Sequence, residues 1–239
     1  TRTISNGKRR RRATCLSQSE VMTILVLYHL SGYKNLKAFY LQEILRHHSS
    51  DFPRLCSYQR FVQLQSRCVM PLFFYLLTKL GSCTGISFID ATPLKVCHNL
   101  RIPSHRVFRG SAERDKSSTG WYYGFKLHLA INEKGEILGF YLTSANVDER
   151  ETVDWITQDL WGKLIGDKGY ISKSLFEKLM QRGLKLITKL RKNMKNRFVE
   201  MEDKLLLRKR AIIETVNDQL KNISNIEHSR HRSLWNFLG

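Results

Sequence analysis

Hydrophobic positions recur at helical spacing over the first third of the chain. Residues 17–20 read Ser-Gln-Ser-Glu, the composition of a capping box, and stand directly before the apolar run 21–30, so a helix is predicted to begin there. Apolar positions over 36–45 predict a second helix, and those over 57–80 predict one or two more, interrupted at Pro71. The pattern therefore predicts a small all-helical N-terminal region.

The pattern changes after Gly85 to short β-rich runs separated by amphipathic segments. Strands are predicted at 86–90, 121–131, 136–142, 163–167 and 184–190, and a turn over 132–135 joins the second and third in a hairpin. Helices are predicted at 149–160, at 172–182 and from about 203 onward. This order predicts an α/β fold, with a mixed sheet and flanking helices. It resembles the order of the ribonuclease H-like fold.

The charge balance favours a polyanionic partner. The 239 residues include 40 Lys and Arg against 21 Asp and Glu, a formal net charge of +19. Residues 1–80 hold 13 basic and 3 acidic residues, so about half of the excess positive charge lies in a third of the chain. Ribosomal or membrane-surface electrostatics would produce a similar balance, so composition alone leaves the partner open.

The hydrophobic pattern and the charge distribution together predict that the chain has three regions. Residues 1–14 are a basic flexible arm, and a merely solvated tail is the alternative. Four consecutive side chains of this arm are expected to contact DNA phosphates: Arg9, Arg10, Arg11 and Arg12. Residues 15–82 are predicted to be a helical DNA-binding region of helix-turn-helix type, although helical bundles serve many purposes. Residues 83–239 form the α/β domain.

Several classes of protein are disfavoured. No apolar run approaches the ~20 residues that cross a bilayer, so a cytoplasmic protein without a membrane partner is expected. The five cysteines are an odd set with no CxxC pair, which fits neither a disulfide framework nor a zinc site. The chain begins with Thr1 rather than Met, so residues missing from its ends are also expected.

Two aspartates follow predicted strands. Asp90 comes directly after the apolar run 86–89, and Pro93 is expected to stop regular pairing, which would leave the carboxylate at an exposed strand end. Asp167 ends the strand at 163–167, where glycines let the backbone turn. Each aspartate alone is typical of a turn or cap. Two that converge would repel each other unless a cation compensated them, and oxygen ligands suit magnesium or manganese.

A third acidic candidate lies on the last predicted helix. The apolar stripe predicted for this helix consists of Ile212, Val216, Leu220 and Ile223. The opposite face carries Arg210, Glu214, Asn217 and Lys221. Two cations thus flank one carboxylate, a layout suited to holding a metal ion while contacting phosphates. An ordinary solvated face with an Arg–Glu pair is the alternative.

Three segments resemble the three blocks of insertion-sequence DDE transposases. They read Phe88-Ile-Asp90-Ala-Thr-Pro-Leu94, Ile165-Gly-Asp167-Lys-Gly-Tyr170, and Arg210-Ala-Ile-Ile-Glu214 with Lys221 seven positions later. The stretches 16–25, 30–33, 51–53 and 57–61 are similar to the bacterial insertion-sequence family nine-eight-two. A related Y-x2-R-x3-E-x6-K signature of neighbouring families is matched except at its tyrosine, where Leu207 stands.

The resemblance implies a function and a site. The function is metal-dependent cleavage of DNA at the terminal inverted repeats of an insertion sequence, followed by strand transfer into target DNA. Asp90, Asp167 and Glu214 would be the catalytic residues and would hold two Mg²⁺ or Mn²⁺ ions. Double-stranded DNA is the expected partner, and synapsis of two element ends favours a homodimer.

Further basic residues are predicted to contact DNA. They are Lys126, Lys168, Lys189, Arg191, Lys192, Arg210 and Lys221. His128 shares a strand face with Lys126 and is expected to be structural. Residues 185–197 are predicted to form a phosphate-contacting surface, with a solvated face as the alternative. Residues 109–120 are predicted to be a mobile loop that clamps DNA near the active edge.

Two other functions remain open at the level of sequence. A ribonuclease H-like DNA nuclease would cut DNA without joining it, and a strand-transfer assay on pre-cleaved ends separates it from a transposase. A non-catalytic DNA-binding remnant of a transposase would bind DNA without any cleavage that depends on magnesium or manganese.

Overall fold

A computed structural model describes residues 15–117, 120–189, 200–227 and 231–238. The chain divides into two compact units between Leu72 and Phe73, somewhat before the boundary predicted at residue 82. The predicted arm at 1–14 lies outside the described residues. No helix in the four described ranges is both long and apolar enough to span a membrane.

The first unit is helical, as predicted. Its elements are α1 (Gln18–Leu30), α2 (Leu36–Phe39), a π-helical turn (Tyr40–Ile44), α3 (Leu45–His47), α4 (Tyr58–Gln65) and the start of α5 (Val69–Leu77). The capping box is confirmed, because Ser17 Oγ accepts from the backbone N–H of Glu20 while Ser17 N donates to the Glu20 carboxylate.

An aromatic contact lies at the centre of this helical unit. Tyr40 stacks on Phe61 with ring centroids 4.6 Å apart, and its hydroxyl donates to the carbonyl of Cys56 at 2.7 Å, so the polar end of this large buried ring has a hydrogen-bond partner.

The predicted interruption at Pro71 is wrong. The break between α4 and α5 comes earlier, and Pro71 lies in the first turn of α5, where a missing N–H removes no intrahelical bond.

The second unit is built on a six-stranded mixed sheet. Its strands are β1 (Ile86–Lys95), β2 (Glu113–Ser117), β3 (Gly120–Asn132), β4 (Ile137–Ser144), β5 (Gly162–Gly166) and β6 (Leu184–Thr188). Its helices after α5 are α6 (Glu149–Ile156), α7 (Lys173–Gln181), α8 (Met201–Lys209), α9 (Ala211–Asp218) and α10 (Leu234–Leu238), with a π-helical turn at Gln219–Ile223. The strand order is β2-β3-β1-β5-β6, and β4 also pairs with β3.

Strand directions complete the topology. The pairs β1–β3, β3–β4 and β2–β3 are antiparallel, whereas β1–β5 and β5–β6 are parallel. The β3–β4 hairpin turns where predicted, with Asn132 Oδ1 accepting from the N–H groups of Lys134 and Glu136 and with Gly135 at φ 84°. The predicted class, a ribonuclease H-like mixed sheet with flanking helices after an all-helical region, is confirmed.

Two local predictions are wrong. Strand β1 does not stop at Pro93 but pairs with β3 as far as Lys95. Proline is tolerated there because β5 pairs only with Ile86–Phe88, which leaves the other edge of β1 without a parallel partner at residue 93. Residues 113–117, predicted to be part of a loop, form strand β2 against β3.

Helices cover both faces of the sheet. Helices α6 and α7 pack on the face that carries Ile89 and Leu164, whereas α8 and α9 pack on the face that carries Phe88 and Ile165. Ile213 of α9 is fully buried on this second face. The predicted apolar stripe is wrong at Ile223, whose surface is 64% exposed. Ile223 ends the π-helical turn Gln219–Ile223, whose wider winding departs from the α-helical spacing on which the stripe was predicted.

Candidate active site

Asp90 and Asp167 lie just beyond the point where the parallel pairing of β1 and β5 ends. Asp167 directly follows β5, whereas Asp90 lies in the middle of β1 and not at the exposed strand end predicted for it, because β1 continues to Lys95. The last residue pair of the β1–β5 ladder is Phe88 with Ile165, so both aspartates stand two residues further along the same register. Because side chains alternate along a strand, Asp90 points to the same face as Phe88, on which α9 packs. Neighbouring strands are about 4.8 Å apart, which puts the two carboxylates within reach of one ion.

Two side chains of the α9 segment form hydrogen bonds with the Asp90 carboxylate. Arg210, at the start of the helix, donates from Nη1 to Asp90 Oδ1 at 3.4 Å, and Asn217 donates from Nδ2 to Asp90 Oδ2 at 3.1 Å. Sequence analysis placed Asn217 on the right face without assigning it a role. Its own Oδ1 is buried and has no hydrogen-bond partner within the described residues.

Glu214 joins the same group through Arg210. Its Oε1 accepts from Arg210 Nη2 at 2.6 Å, and its side chain is 58% exposed at the rim of the site. One guanidinium therefore connects the first and third of the acidic residues singled out in the sequence. Asp167 makes no side-chain cap bond to the short 3-10 turn Lys168–Tyr170 that follows it.

The Asp90 carboxyl is buried close to other negative charges, and its pKa is raised. Burial raises the pKa of the Asp90 carboxyl, the Arg210 guanidinium opposes this rise, and the carboxylates of Asp167 and Glu214 add to it. A site in which burial and two neighbouring carboxylates all disfavour the ionised form is one that a cation would stabilise.

Glu149 belongs to this site, and sequence reasoning missed it. It is the first residue of α6 and is half-buried, and its Oε2 lies 3.3 Å from where a β-carbon on Gly169 would stand. Burial raises the pKa of Glu149, Lys126 opposes the rise, and Asp90 and Asp167 add to it. In the sequence, an acidic residue after Asp148 is typical of the first turn of a helix, so no signal distinguished this carboxylate from a capping one.

Tyr170 completes the floor of the site. Its side chain is fully buried, and its hydroxyl has no hydrogen-bond partner within the part of the chain that the structure describes. Burial raises the pKa of Tyr170 well above its usual range, and the charges of Glu149, Asp90 and Asp167 raise it further. The tyrosine stands in the second motif, but the sequence carried no sign that its hydroxyl would be buried beside three carboxylates.

Several basic side chains that were predicted to contact DNA form ion pairs and hydrogen bonds within the protein. Lys126 Nζ forms an ion pair with Asp115 at 3.0 Å and donates to the carbonyl of Val147 at 3.1 Å. Lys221 Nζ donates to the carbonyl of Pro93 at 2.6 Å and lies 3.6 Å from Glu227 Oε2, so it ties the π-helical turn to β1. Arg210 is engaged by the two carboxylates described above.

The remaining predicted contacts lie at the sheet edge or outside the described residues. Lys168 is exposed directly after Asp167, and Lys189 is exposed one residue beyond the Gly166–Thr188 pair, so it extends the row formed by Asp90 and Asp167. Arg191 and Lys192, like the four arginines of the predicted arm, fall outside the described residues. Lys185, in the predicted phosphate-contacting stretch, pairs with Asp203 and Glu200.

The chemistry of these side chains shows whether the site suits the expected divalent ions. Among the described residues no three Asp, Glu, His or Cys side chains already surround one point. The donor set nevertheless fits magnesium or manganese, because it consists of oxygen atoms on two neighbouring strands. Two buried polar atoms beside it, Tyr170 Oη and Asn217 Oδ1, lack partners within the described chain, which is expected where a hydrated ion or its ligands would stand.

The comparison with known families agrees with this geometry. Residues 80–234 match the family model described as "Transposase DDE domain", which is more than half of the chain. The chain belongs to the transposase DDE domain family. The matched residues of this DDE domain run from before β1 to the start of α10, so they include every acidic residue of the candidate site.

Solved structures of two transposases are similar to this DDE-domain chain. A piggyBac transposase synaptic complex with hairpin DNA is 15% identical at a TM-score of 0.48, over 79% of this chain and 46% of that one. The Mos1 strand transfer complex is 9% identical at a TM-score of 0.27, over 95% of this chain and 82% of that one. The chain thus spans less than half the length of the piggyBac chain. No curated protein matches it.

Proposed function

We propose that this DDE domain is the catalytic core of a bacterial insertion-sequence transposase of family nine-eight-two, which cuts DNA at the ends of its element and joins those ends to target DNA. The observation that carries the proposal is the parallel register of β1 and β5, which sets Asp90 beside Asp167. The ion pairs of Arg210 add Glu214 to the same group.

Asp90, Asp167 and Glu214 would hold the divalent ions, two Mg²⁺ or Mn²⁺ as expected for this chemistry. When bound, such ions activate a water or a DNA 3′-hydroxyl and stabilise the leaving oxygen of the phosphodiester. Asn217 keeps the Asp90 carboxylate turned toward the site through its bond to Oδ2. Tyr170 and the core below it keep bulk water from the floor, since its ring is fully buried.

Arg210 would change partners as the site fills. Without bound ions it is the cation between Asp90 and Glu214. With those carboxylates engaged by metal, the guanidinium would be available to donate N–H groups to the scissile phosphate. The exposed Lys168 and Lys189 stand at the same edge, where they would contact neighbouring phosphates of the DNA backbone.

The partner would be double-stranded DNA, as terminal inverted repeats and then as target. The net charge of +19 supports this, since phosphate contacts dominate such affinities. We assign the helical region 15–82 to binding the element ends, with the basic arm 1–14 alongside, and the α/β domain 83–239 to catalysis. Two ends must meet before joining, so a homodimer is proposed for the synaptic complex.

A single substitution tests the proposal. Asp167→Asn should lose both cleavage of labelled element-end DNA and strand transfer of pre-cleaved ends, because it removes a charge that the metal site needs, while binding of the same DNA is retained. Asp159→Asn, an exposed aspartate beyond α6, is the matched control and should cleave normally. An Asp167→Asn protein that still cleaves would overturn the assignment.

The wild-type protein separates the two alternatives in the same assays. Cleavage without any strand transfer would identify a nuclease of this fold. Binding of element ends with no cleavage at any magnesium or manganese concentration would identify a non-catalytic DNA-binding protein. Both measurements use the full chain and require no variant.

A further inference from the structure

A fourth carboxylate approaches the Asp90–Asp167 pair from the face of the sheet opposite Glu214. Helix α9, which carries Glu214, packs on the face of Phe88, whereas α6, which begins at Glu149, packs on the face of Ile89. The Glu149 carboxylate lies against Gly169 in the turn that follows Asp167. The two glutamates therefore flank the aspartate pair from two sides.

The buried hydroxyl of Tyr170 is an independent sign of a ligand at this point. Tyr170 lies on the α6 face of the sheet, in the core that also contains Ile89 and Val153. Its ring lies against Gly166, the residue before Asp167, 3.1 Å from where a β-carbon on that glycine would stand. Its hydroxyl is buried and has no hydrogen-bond partner within the described residues. A buried hydroxyl without a partner is costly, so a polar ligand or ion-bound water next to Asp167 would stabilise this arrangement.

The nearby protein cations do not neutralise these charges. Lys126 is the cation that acts most strongly on Glu149, but its Nζ is already paired with Asp115 at 3.0 Å and bonded to the Val147 carbonyl at 3.1 Å. Arg210 is shared between Asp90 and Glu214 on the opposite face. Glu149 is thus a half-buried carboxylate without a close ion-pair partner of its own within the described residues, next to two further carboxylates. Such a cluster is stabilised by a bound cation.

We propose that Glu149 is a further carboxylate ligand of the divalent ion held by Asp90 and Asp167, approaching it from the α6 face. The inference rests on the proposed function, since it adds one residue to the same metal site. It gives α6 a role that its sequence did not indicate, because the first residue of that helix then serves the ion rather than the helix terminus. Tyr170 closes the site below these ligands.

Metal binding tests this role without relying on catalysis. The full chain is titrated with Mn²⁺ alone, and the free ion is followed by its electron paramagnetic resonance signal. Glu149→Gln should weaken Mn²⁺ binding by about tenfold or more, the scale expected when a partner in a metal site is removed. Glu151→Gln is the matched control, because Glu151 lies in the same first turn of α6 but is exposed and should bind Mn²⁺ as the wild type does.

A second variant guards against a simple loss of folding. Glu149→Asp keeps the charge but withdraws the carboxylate by one methylene, so it should also weaken Mn²⁺ binding if reach to the ion matters. Circular dichroism and thermal melting without metal show whether each variant is folded. Wild-type affinity in both folded variants would overturn the role of Glu149.

The same titration separates failure of this inference from failure of the proposed function. Asp167→Asn should lose Mn²⁺ binding under the proposed function. If Asp167→Asn loses the ion while both Glu149 variants keep it, the three-carboxylate site stands and Glu149 is excluded from it. If Asp167→Asn also keeps the ion, both the proposed metal site and the role of Glu149 are wrong.

Discussion

Arg210 donates to Asp90 Oδ1 from Nη1 at 3.4 Å and thereby ties the start of α9 to the middle of β1. The other terminal nitrogen of the same guanidinium bonds Glu214. Arginine therefore occupies the position between two carboxylates that a metal ion is expected to take. Under the proposed function the side chain would compete with metal for these ligands, and it would be free to contact a phosphate once metal displaced it.

Replacing Arg210 should separate metal binding from catalysis. Arg210→Gln is expected to strengthen Mn²⁺ binding, because it removes the competing cation, and to slow cleavage of element-end DNA by about a hundredfold, because it removes a phosphate donor. Arg208→Gln, an exposed arginine in α8, should change neither. Weaker Mn²⁺ binding in Arg210→Gln would mean that the arginine organises the site instead of competing for it.

Truncation to alanine should destabilise the protein at Ile213, in the core beneath α9, but not at the exposed Ile223. Ile213→Ala removes a side chain that is 0% exposed against Phe88 and Ile165, and should lower the free energy of unfolding by about 2–5 kcal/mol. Ile223→Ala, at a position 64% exposed, should stay within about 0.5 kcal/mol of the wild type. Chemical denaturation measures both, and equal losses would contradict the helix orientation described here.

His128 should make the protein less stable in mild acid. Burial and the charge of Lys126 lower the pKa of His128 from 6.5 to about 4. Its Nε2 lies 2.9 Å from Thr143 Oγ1, and its Nδ1 is buried with no partner among the described residues. Below pH 6.5 the unfolded chain takes up a proton that the folded chain does not. The free energy of unfolding should therefore fall by roughly 3 kcal/mol as pH decreases to about 4.

A variant isolates this contribution from that of the other titrating groups. His128→Gln cannot titrate, so the loss of stability between pH 6.5 and 4 should be smaller by the same amount, as measured by denaturation at a series of pH values. If wild type and variant lose stability in parallel over this range, His128 is not the responsible group.

Asp203 should hold α8 on the sheet. Lys163 and Lys185 are paired in register on β5 and β6, and both reach the Asp203 carboxylate, at 2.8 and 3.0 Å. Burial opposes ionisation, but these two lysines together hold the pKa of Asp203 below its usual range, so its contribution is present at neutral pH and is lost as pH falls through the lowered value.

Replacement of this carboxylate should therefore be costly. Asp203→Asn is expected to lower the free energy of unfolding by about 1.5–3 kcal/mol, since hydrogen bonds to charged groups are lost from a side chain that is 6% exposed. Glu202→Gln, whose neighbouring carboxylate is 82% exposed, should cost under about 1 kcal/mol. Thermal melts at neutral pH compare the two, and a neutral Asp203→Asn would show that the lysines find other partners.

The two aspartates that follow buried apolar runs were predictable from sequence because the signal is local. Each aspartate directly follows an apolar run, but only Asp167 stands at a strand end, because β1 continues past Asp90 to Lys95. Parallel pairing then puts both at one edge, and the register of β1 and β5 agrees with it. Even here Pro93 was misread, because whether proline interrupts a strand depends on which edge has a partner.

The charges of the site were not predictable in the same way. Sequence analysis predicted a phosphate contact for Lys126 and for the stretch that contains Lys185, and it did not predict that each lysine would form an ion pair within the protein. Their partners, Asp115 and Asp203, come from a strand that was predicted to be a loop and from a helix distant in sequence. Long-range pairing of this kind is decided by how elements pack.

The sequence by itself determined the helical first region, the mixed sheet with its flanking helices, and the place of Asp90 and Asp167 directly after apolar runs, because hydrophobic periodicity is a property of short segments. Only the tertiary structure decided that Glu149 and Tyr170 stand beside those aspartates, because α6 and the turn after β5 meet there through contacts between separate segments. Which charges lie near one another depends on distances in the folded protein, and these cannot be read from the positions of residues along the sequence.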